Sequence, residues 1–108
     1  MSHTIIVMEG DQTGQELLEE ALRVLDPSIT RCDLRFERYD LSLENRRATQ
    51  NEIVRKAANR VRETGFGIKA ATITPEAPGD VGSPNALLRE MIGAQVILRT
   101  GRRIPHVR

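Results

Sequence analysis

Short apolar runs alternate with amphipathic stretches along this chain, and that alternation limits the possible folds more than any other feature. His3 to Met8 reads as a short buried strand, closed by Glu9-Gly10-Asp11. A helix is expected from about Thr13, with Leu17, Leu18, Ala21, Leu22 and Leu25 as its apolar stripe and Asp26-Pro27 as its stop. Arg31 to Tyr39 alternates, with Cys32, Leu34 and Phe36 on one face and Arg31, Asp33, Arg35 and Glu37 on the other, as in a half-exposed strand near a sheet edge. Leu41 to Ala48 reads as a polar connection. Thr49 is expected to cap a second helix, with Glu52 completing a capping box; Ile53, Val54, Ala57, Ala58 and Val61 form its stripe and Gly65 ends it. Gly67 to Ile73 is a near-continuous small and apolar run, expected to be a strand covered on both faces. Thr74 to Gly82 is a Pro/Gly loop, Ser83-Pro84 opens a third helix, and Ala94 to Leu98 reads as a fourth strand.

Strands and helices in strict alternation imply right-handed crossovers and a mostly parallel sheet. The expected fold is therefore a three-layer α/β/α arrangement of about four strands and three helices. At 108 residues, with 39% hydrophobic and 29% charged, residues 1–108 read as one folded segment and not as a disordered chain.

No apolar run approaches the roughly 20 residues of a membrane span, so no membrane partner is expected. The start lacks a basic region, with no Arg before Arg23, which speaks against a signal or transit peptide. Cys32 is the single cysteine, which excludes an internal disulfide and cysteine-pair metal sites and suits a reducing, cytoplasmic setting. The net charge of +1 conceals an asymmetry, since residues 99–108 carry Arg99, Arg102, Arg103 and Arg108 and no acid. The only aromatic rings are Phe36, Tyr39 and Phe66, too few for a base-stacking platform, so the Arg tail reads as a solvated end and no nucleic-acid partner is expected. His3 and His106 have no acid or thiol at ligand spacing, so no metal ligand is expected. Ser83 has no histidine placed to activate it, so nucleophilic catalysis has no support.

In open parallel sheets, ligands bind beyond the carboxyl ends of the strands, here Glu9–Asp11, Thr72–Pro75 and Arg99. Gly10-Asp11-Gln12-Thr13-Gly14 lacks both G-x-G-x-x-G and a phosphate-loop lysine, and Asp11 would repel phosphate, so it reads as a strand-to-helix turn. Lys69 interrupts an apolar strand and must reach a partner or snorkel out, with Thr72 and Thr74 following it; threonines also serve simple packing in strands. Ser83-Pro84-Asn85 with Arg89 is the most informative group: a helix start with unpaired backbone N–H groups, two polar side chains and a guanidinium, which Arg99 would meet from a strand end. Such a set holds a molecule with several carboxylates. The plainer reading, Ser83 as a helix cap and both arginines as surface charge, stays open on these residues alone.

Ser83-Pro84-Asn85-Ala86-Leu87-Leu88-Arg89, with Arg99 ten residues on, resembles the substrate-binding segment of isocitrate dehydrogenases. Met8-Glu9-Gly10-Asp11 resembles that family's first strand and turn. Tyr39-Asp40-Leu41-Ser42-Leu43-Glu44-Asn45-Arg46 with Ala48-Thr49, and Ile68-Lys69-Ala70-Ala71-Thr72-Ile73-Thr74-Pro75, are similar to the NADP-dependent subfamily. The likeness covers nearly the whole chain. It implies that Thr74, Ser83, Asn85, Arg89 and Arg99 bind isocitrate, and that Lys69, Thr72, Thr74 and Asn85 line the cofactor side, for NADP or NAD. Related isopropylmalate enzymes carry apolar residues in place of the Ser83 and Asn85 pair, so the resemblance implies a tricarboxylate over the alkyl-bearing isopropylmalate. The resemblance further implies oxidative decarboxylation to 2-oxoglutarate with Mg²⁺ or Mn²⁺, and a homodimer.

Family chains are several times longer. The resemblance therefore implies that this is the first half of a discontinuous large domain, inactive alone. It implies no catalytic residue in this segment, with the catalytic tyrosine and lysine and the metal-binding aspartates supplied beyond it. The alternative is a non-catalytic carboxylate-binding module or regulatory subunit.

Overall fold

Ile6, Val7 and Met8 are consecutive, and all three are buried, which in a strand requires cover on both faces. In the computed structural model, which describes residues 2–108, they form the middle of β1 (Ser2–Glu9), the central strand of a parallel sheet. β2 (Asp33–Asp40) pairs with it in register from Ser2↔Asp33 to Glu9↔Asp40, and β3 (Gly67–Lys69) pairs from Ile6↔Gly67 to Met8↔Lys69. The order β2-β1-β3 places β2 at an edge, as its alternation implies.

Five helical segments connect and cover the strands among the described residues: α1 (Gln12–Val24), α2 (Pro27–Thr30), α3 (Leu43–Thr49), α4 (Glu52–Thr64) and α5 (Pro84–Ile92). On one face, Leu18 and Leu22 of α1 close over Val7 and Ala70, with Phe36 and Ile68 at the margin. On the other, Val54, Ala57 and Ala58 of α4 and Leu88 of α5 pack on Ile6, Met8 and Leu41. The three-layer α/β/α arrangement is therefore present. None of the described helices is long and apolar enough to cross a membrane.

Several expectations need correction. Three strands stand where about four were expected, because Ala94–Leu98 is irregular, with Val96 83% and Leu98 84% exposed. The expected strand Gly67–Ile73 is paired only to Lys69, so β3 offers a short edge; beyond it the backbone turns to the β1–α1 connection, where the Asp11 N–H donates to the Ala71 carbonyl. Helices number five instead of three. Asp26 caps the single turn of α2, its carboxylate accepting from the Ser28 N–H, with Pro27 at the first position. The supposed polar connection Leu41–Ala48 contains α3, capped by Ser42 accepting from the Asn45 N–H. Thr49 is consequently the last residue of α3 and not a cap; Asn51 is the N-cap of α4, and the Thr49 hydroxyl accepts from the Ile53 N–H. In α1 the inward line is Gly14, Leu18 and Leu22, while Leu17 is 67% exposed, since a stripe four residues apart faces the sheet best. Cys32 precedes β2 and is exposed, so it is not part of the inward face.

Candidate functional site

The β1–α1 turn lies hard against the segment after β3. A Cβ on Gly10 would stand 2.2 Å from the Ala71 carbonyl oxygen, and one on Gly14 2.5 Å from it, so glycine is required by close approach and not by a phosphate. Asp11 stands at the N-cap of α1 yet makes no side-chain cap bond. Its carboxylate instead accepts from the Leu43 N–H and the Ile73 N–H, both at 2.9 Å, joining three connections at the carboxyl end of the sheet.

Beside it lies Arg46 of α3, fully buried. Its Nε donates to the Leu41 carbonyl at 2.9 Å, one terminal nitrogen to the Gly82 carbonyl at 3.1 Å, and the other to the Ile73 carbonyl. The Asp11 carboxylate is 3.8 Å away. Burial lowers the pKa of this guanidinium, an effect that the Asp11 charge opposes. Farther out, Arg47 grips Asp80 with two bonds of 3.1 and 2.7 Å, and the Asn51 amide donates to the Val81 carbonyl at 2.9 Å. The Arg47 guanidinium holds the Asp80 carboxyl below its usual range.

Past this loop, Ser83 occupies the N-cap of α5, but its hydroxyl makes no cap bond. Asn85 and Arg89, four residues apart, share one face of α5. That face, the outer edge of β3 and the end of α4 enclose a cleft of about 360 Å³, lined by Lys69, Asn85 and Arg89 over a floor that includes Met8, Val61 and Leu88. No carboxylate lines it. The Lys69 ammonium donates to the Ala70 carbonyl at 2.8 Å and to the Thr72 hydroxyl at 2.9 Å. Burial first, then the Arg46 charge, draws its pKa down to about 8, with Asp11 opposing.

The structure thus brings Lys69, Asn85 and Arg89 to one cleft and ties Thr72 to Lys69. Ser83 lies half-buried at the start of α5, and Thr74 is exposed on the preceding loop. Arg99 lies in the irregular exposed segment after α5 and is not among the residues lining the cleft. Asp11, Arg46, Arg47, Asn51 and Asp80 hold the loop between these elements, and reasoning from sequence did not single them out as a set. Two signals were available: Asp11 at a strand's carboxyl end, and Ser42-x-x-Asn45 before the arginine pair. Among the described residues, no group of three or more His, Cys, Asp or Glu stands together as a metal ion would require.

Residues 4–107 match the isocitrate/isopropylmalate dehydrogenase family. The chain is 31% identical over 104 residues to the mitochondrial NADP isocitrate dehydrogenase of Candida tropicalis, an alignment covering 89% of this chain and 24% of that one. It is 32% identical over 104 residues to the NADP isocitrate dehydrogenase of Sphingobium yanoikuyae, covering 89% and 25%, and 31% identical over 100 residues to the mitochondrial NADP isocitrate dehydrogenase of Saccharomyces cerevisiae, covering 85% and 23%. The chain spans about a quarter of the length of the curated relatives it matches. Matched over nearly all of its own length, this chain belongs to the isocitrate/isopropylmalate dehydrogenase family.

Proposed function

We propose that this chain supplies the substrate-orienting part of an NADP-dependent isocitrate dehydrogenase site. The observation that carries this reading is the cleft itself: Lys69, Asn85 and Arg89 line it above an apolar floor and no acid does, so it favours an anion over a cation. Arg89 would clamp one carboxylate of isocitrate. The Ser83 hydroxyl, unused as a cap, would donate to another, and Asn85 would stand between substrate and nicotinamide. Thr74 and Arg99 would complete the carboxylate contacts. Lys69 and Thr72, already bonded to each other, would face the cofactor.

When bound, the nicotinamide would supply the hydride acceptor for oxidation at C2 of isocitrate, with Lys69, Thr72, Thr74 and Asn85 lining its side of the site. The C2 hydroxyl proton would pass to a base outside these residues, and the oxidised substrate would lose CO₂ to give 2-oxoglutarate. The contribution of these residues is orientation: they fix the carboxylates so that the C2–H points at one ring face. Mg²⁺ or Mn²⁺ and a second subunit belong to this proposal through the family resemblance alone, and the orienting role of these side chains does not depend on a metal. Catalysis would need groups besides those described, so the 108 residues are expected to bind without turnover.

Calorimetric titration tests the reading. Isocitrate should bind saturably without added metal, and 2-isopropylmalate should bind more weakly. Arg89→Ala should weaken isocitrate by about 1 kcal/mol for an arginine exposed in this chain, and by about 2–5 kcal/mol in the complete enzyme, where the charge pair would be buried. Equal heats for wild type and Arg89→Ala would remove Arg89 from the site and the proposal with it.

A further inference from the structure

We propose that Arg46 is a positioning residue: its buried guanidinium, bonded to the carbonyls of Leu41, Ile73 and Gly82, fixes both ends of the 73–82 loop and so sets where Thr74 and Ser83 stand relative to Lys69 and Arg89. The consequence for ligand binding rests on the isocitrate reading of the cleft; the mechanical claim does not.

Between Ile73 and Gly82 the chain contains no helix or strand, and it includes Pro75, Pro78 and Gly79. Such a segment does not fix its own ends. Arg46 does so from a single planar group, reaching three backbone positions that are 5, 27 and 36 residues away in sequence. A residue needed only for packing at this fully buried place would be apolar, because a buried charge is costly to desolvate. The carboxylate nearest to it does not explain it either. Asp11 is 3.8 Å away and spends its oxygens on the N–H groups of Leu43 and Ile73. The hydrogen-bonding capacity of Arg46 is therefore spent on three carbonyls, two of them the ends of the loop, and the loop is held in return. Asp11 completes the brace from the other side: the Ile73 carbonyl accepts from Arg46 while the Ile73 N–H donates to Asp11. Arg47–Asp80 and Asn51–Val81 add ties at the outer part of the loop, but they are more exposed.

Arg46 also acts on the cleft by its charge. The charged groups that bear on Lys69 are Arg46, which disfavours its ammonium, and Asp11, which favours it, while Arg89 faces it across the cleft. Loop geometry and Lys69 titration are thus two separate readouts of one side chain.

The test uses the whole chain and follows amide hydrogen exchange and the Lys69 titration by NMR in Arg46→Lys, Arg46→Met and Arg47→Ala. An ammonium keeps the charge but cannot span three carbonyls. Arg46→Lys is therefore expected to speed exchange of the Ile73 amide at least about tenfold while the β1 amides of Ile6 to Met8 stay within about threefold. Its Lys69 midpoint should remain near 8, whereas Arg46→Met should move that midpoint upward. Arg47→Ala, which frees only the outer part of the loop at Asp80, should change Ile73 exchange by less than about threefold and leave the Lys69 midpoint in place.

Unchanged Ile73 exchange in Arg46→Lys overturns the proposal. So does an equal rise across β1 and the loop, because that is the mark of a purely structural residue. Should Arg46→Met fail to fold, Arg46→Lys against Arg47→Ala still decides the matter. Isocitrate titration separates the two claims. Loss of binding in Arg46→Lys, at least about tenfold, supports the link to the site, and retained affinity despite a loosened loop overturns that link. A wild-type chain that does not bind isocitrate defeats the substrate reading while the exchange data still judge the brace.

Discussion

Because Lys69 ends β3 half-buried, with the Arg46 charge nearby, its ammonium loses a proton near pH 8 instead of near 10.5. Two opposite consequences follow. The unfolded chain holds this proton up to its ordinary pKa while the folded chain releases it near 8, so the group's effect on stability improves as pH rises between those values and is constant outside them. Attraction for an anion runs the other way, since the cleft loses one positive charge over the same rise. Isocitrate affinity is therefore expected to fall as pH passes about 8, and Lys69→Gln should flatten that fall; a wild-type affinity constant from pH 7 to 9 would take Lys69 out of the anion field. Gly14 gives a second prediction at this scale. Alanine ordinarily improves a helix interior by about 1 kcal/mol, but here its Cβ would stand 2.5 Å from the Ala71 oxygen. Gly14→Ala should destabilise by about 1–3 kcal/mol in urea unfolding, the cost of overpacking. A gain in stability would show that the turn is not held against Ala71.

At the scale of elements, the α3–α4 junction bends sharply, with Gln50 at φ 50° and Asn51 at φ 64°. Asparagine tolerates the left-handed region; glutamine does so at a cost. Gln50→Gly is expected to stabilise by about 1 kcal/mol in urea unfolding, and a loss would mean that the Gln50 side chain makes a contribution of its own. On the opposite side of α4, Arg60 grips Glu37 of β2 at 3.0 and 2.8 Å, and Tyr39 donates to the same carboxylate. The Arg60 and Tyr39 bonds hold the Glu37 carboxyl down to about 2. Its contribution is fully present above about 4.5 and is lost as pH falls toward 2, so Glu37→Gln should flatten the acid limb of the stability curve across that window.

α3 shows why part of this level was hidden in the sequence. The stripes of α1 and α4 are written in Leu, Val and Ala, and Ser83-Pro84 marks α5 plainly. The inward residue of α3 is Arg46, which any hydropathy pattern assigns to solvent, and its partners are backbone carbonyls that leave no trace in residue type. Lys69, Asn85 and Arg89 were legible as candidates because charge and amide groups beside apolar positions stand out. The brace behind them was not, because it depends on pairings as far apart as 62 residues.

The molecule as a whole has a radius of gyration of 15.2 Å, against about 13 Å expected for a compact chain of about this length. The excess fits the segment after α5, where Val96, Ile97, Leu98, Ile104 and Val107 are exposed and no regular element forms. Ala94–Leu98 has a strand's composition, but β3 offers only three paired residues beside β1, so composition alone did not secure a fourth strand. Brief trypsin treatment should therefore cut after Arg99, Arg102 or Arg103 before any arginine of α4, leaving the layered part intact. Early cleavage within α4 would place the secured part of the fold elsewhere.

Everything said of the site turns on whether the cleft between β3 and α5 receives the carboxylates of isocitrate. An NMR titration of the whole chain with isocitrate, following the Asn85 side-chain amide and the Arg89 guanidinium, decides it. Saturable shifts are expected at Asn85, Arg89 and Ser83 and should vanish in Arg89→Ala, with α2 and the exposed face of α1 silent. Shifts spread evenly over the surface arginines, or persisting in Arg89→Ala, would mean that isocitrate does not bind there.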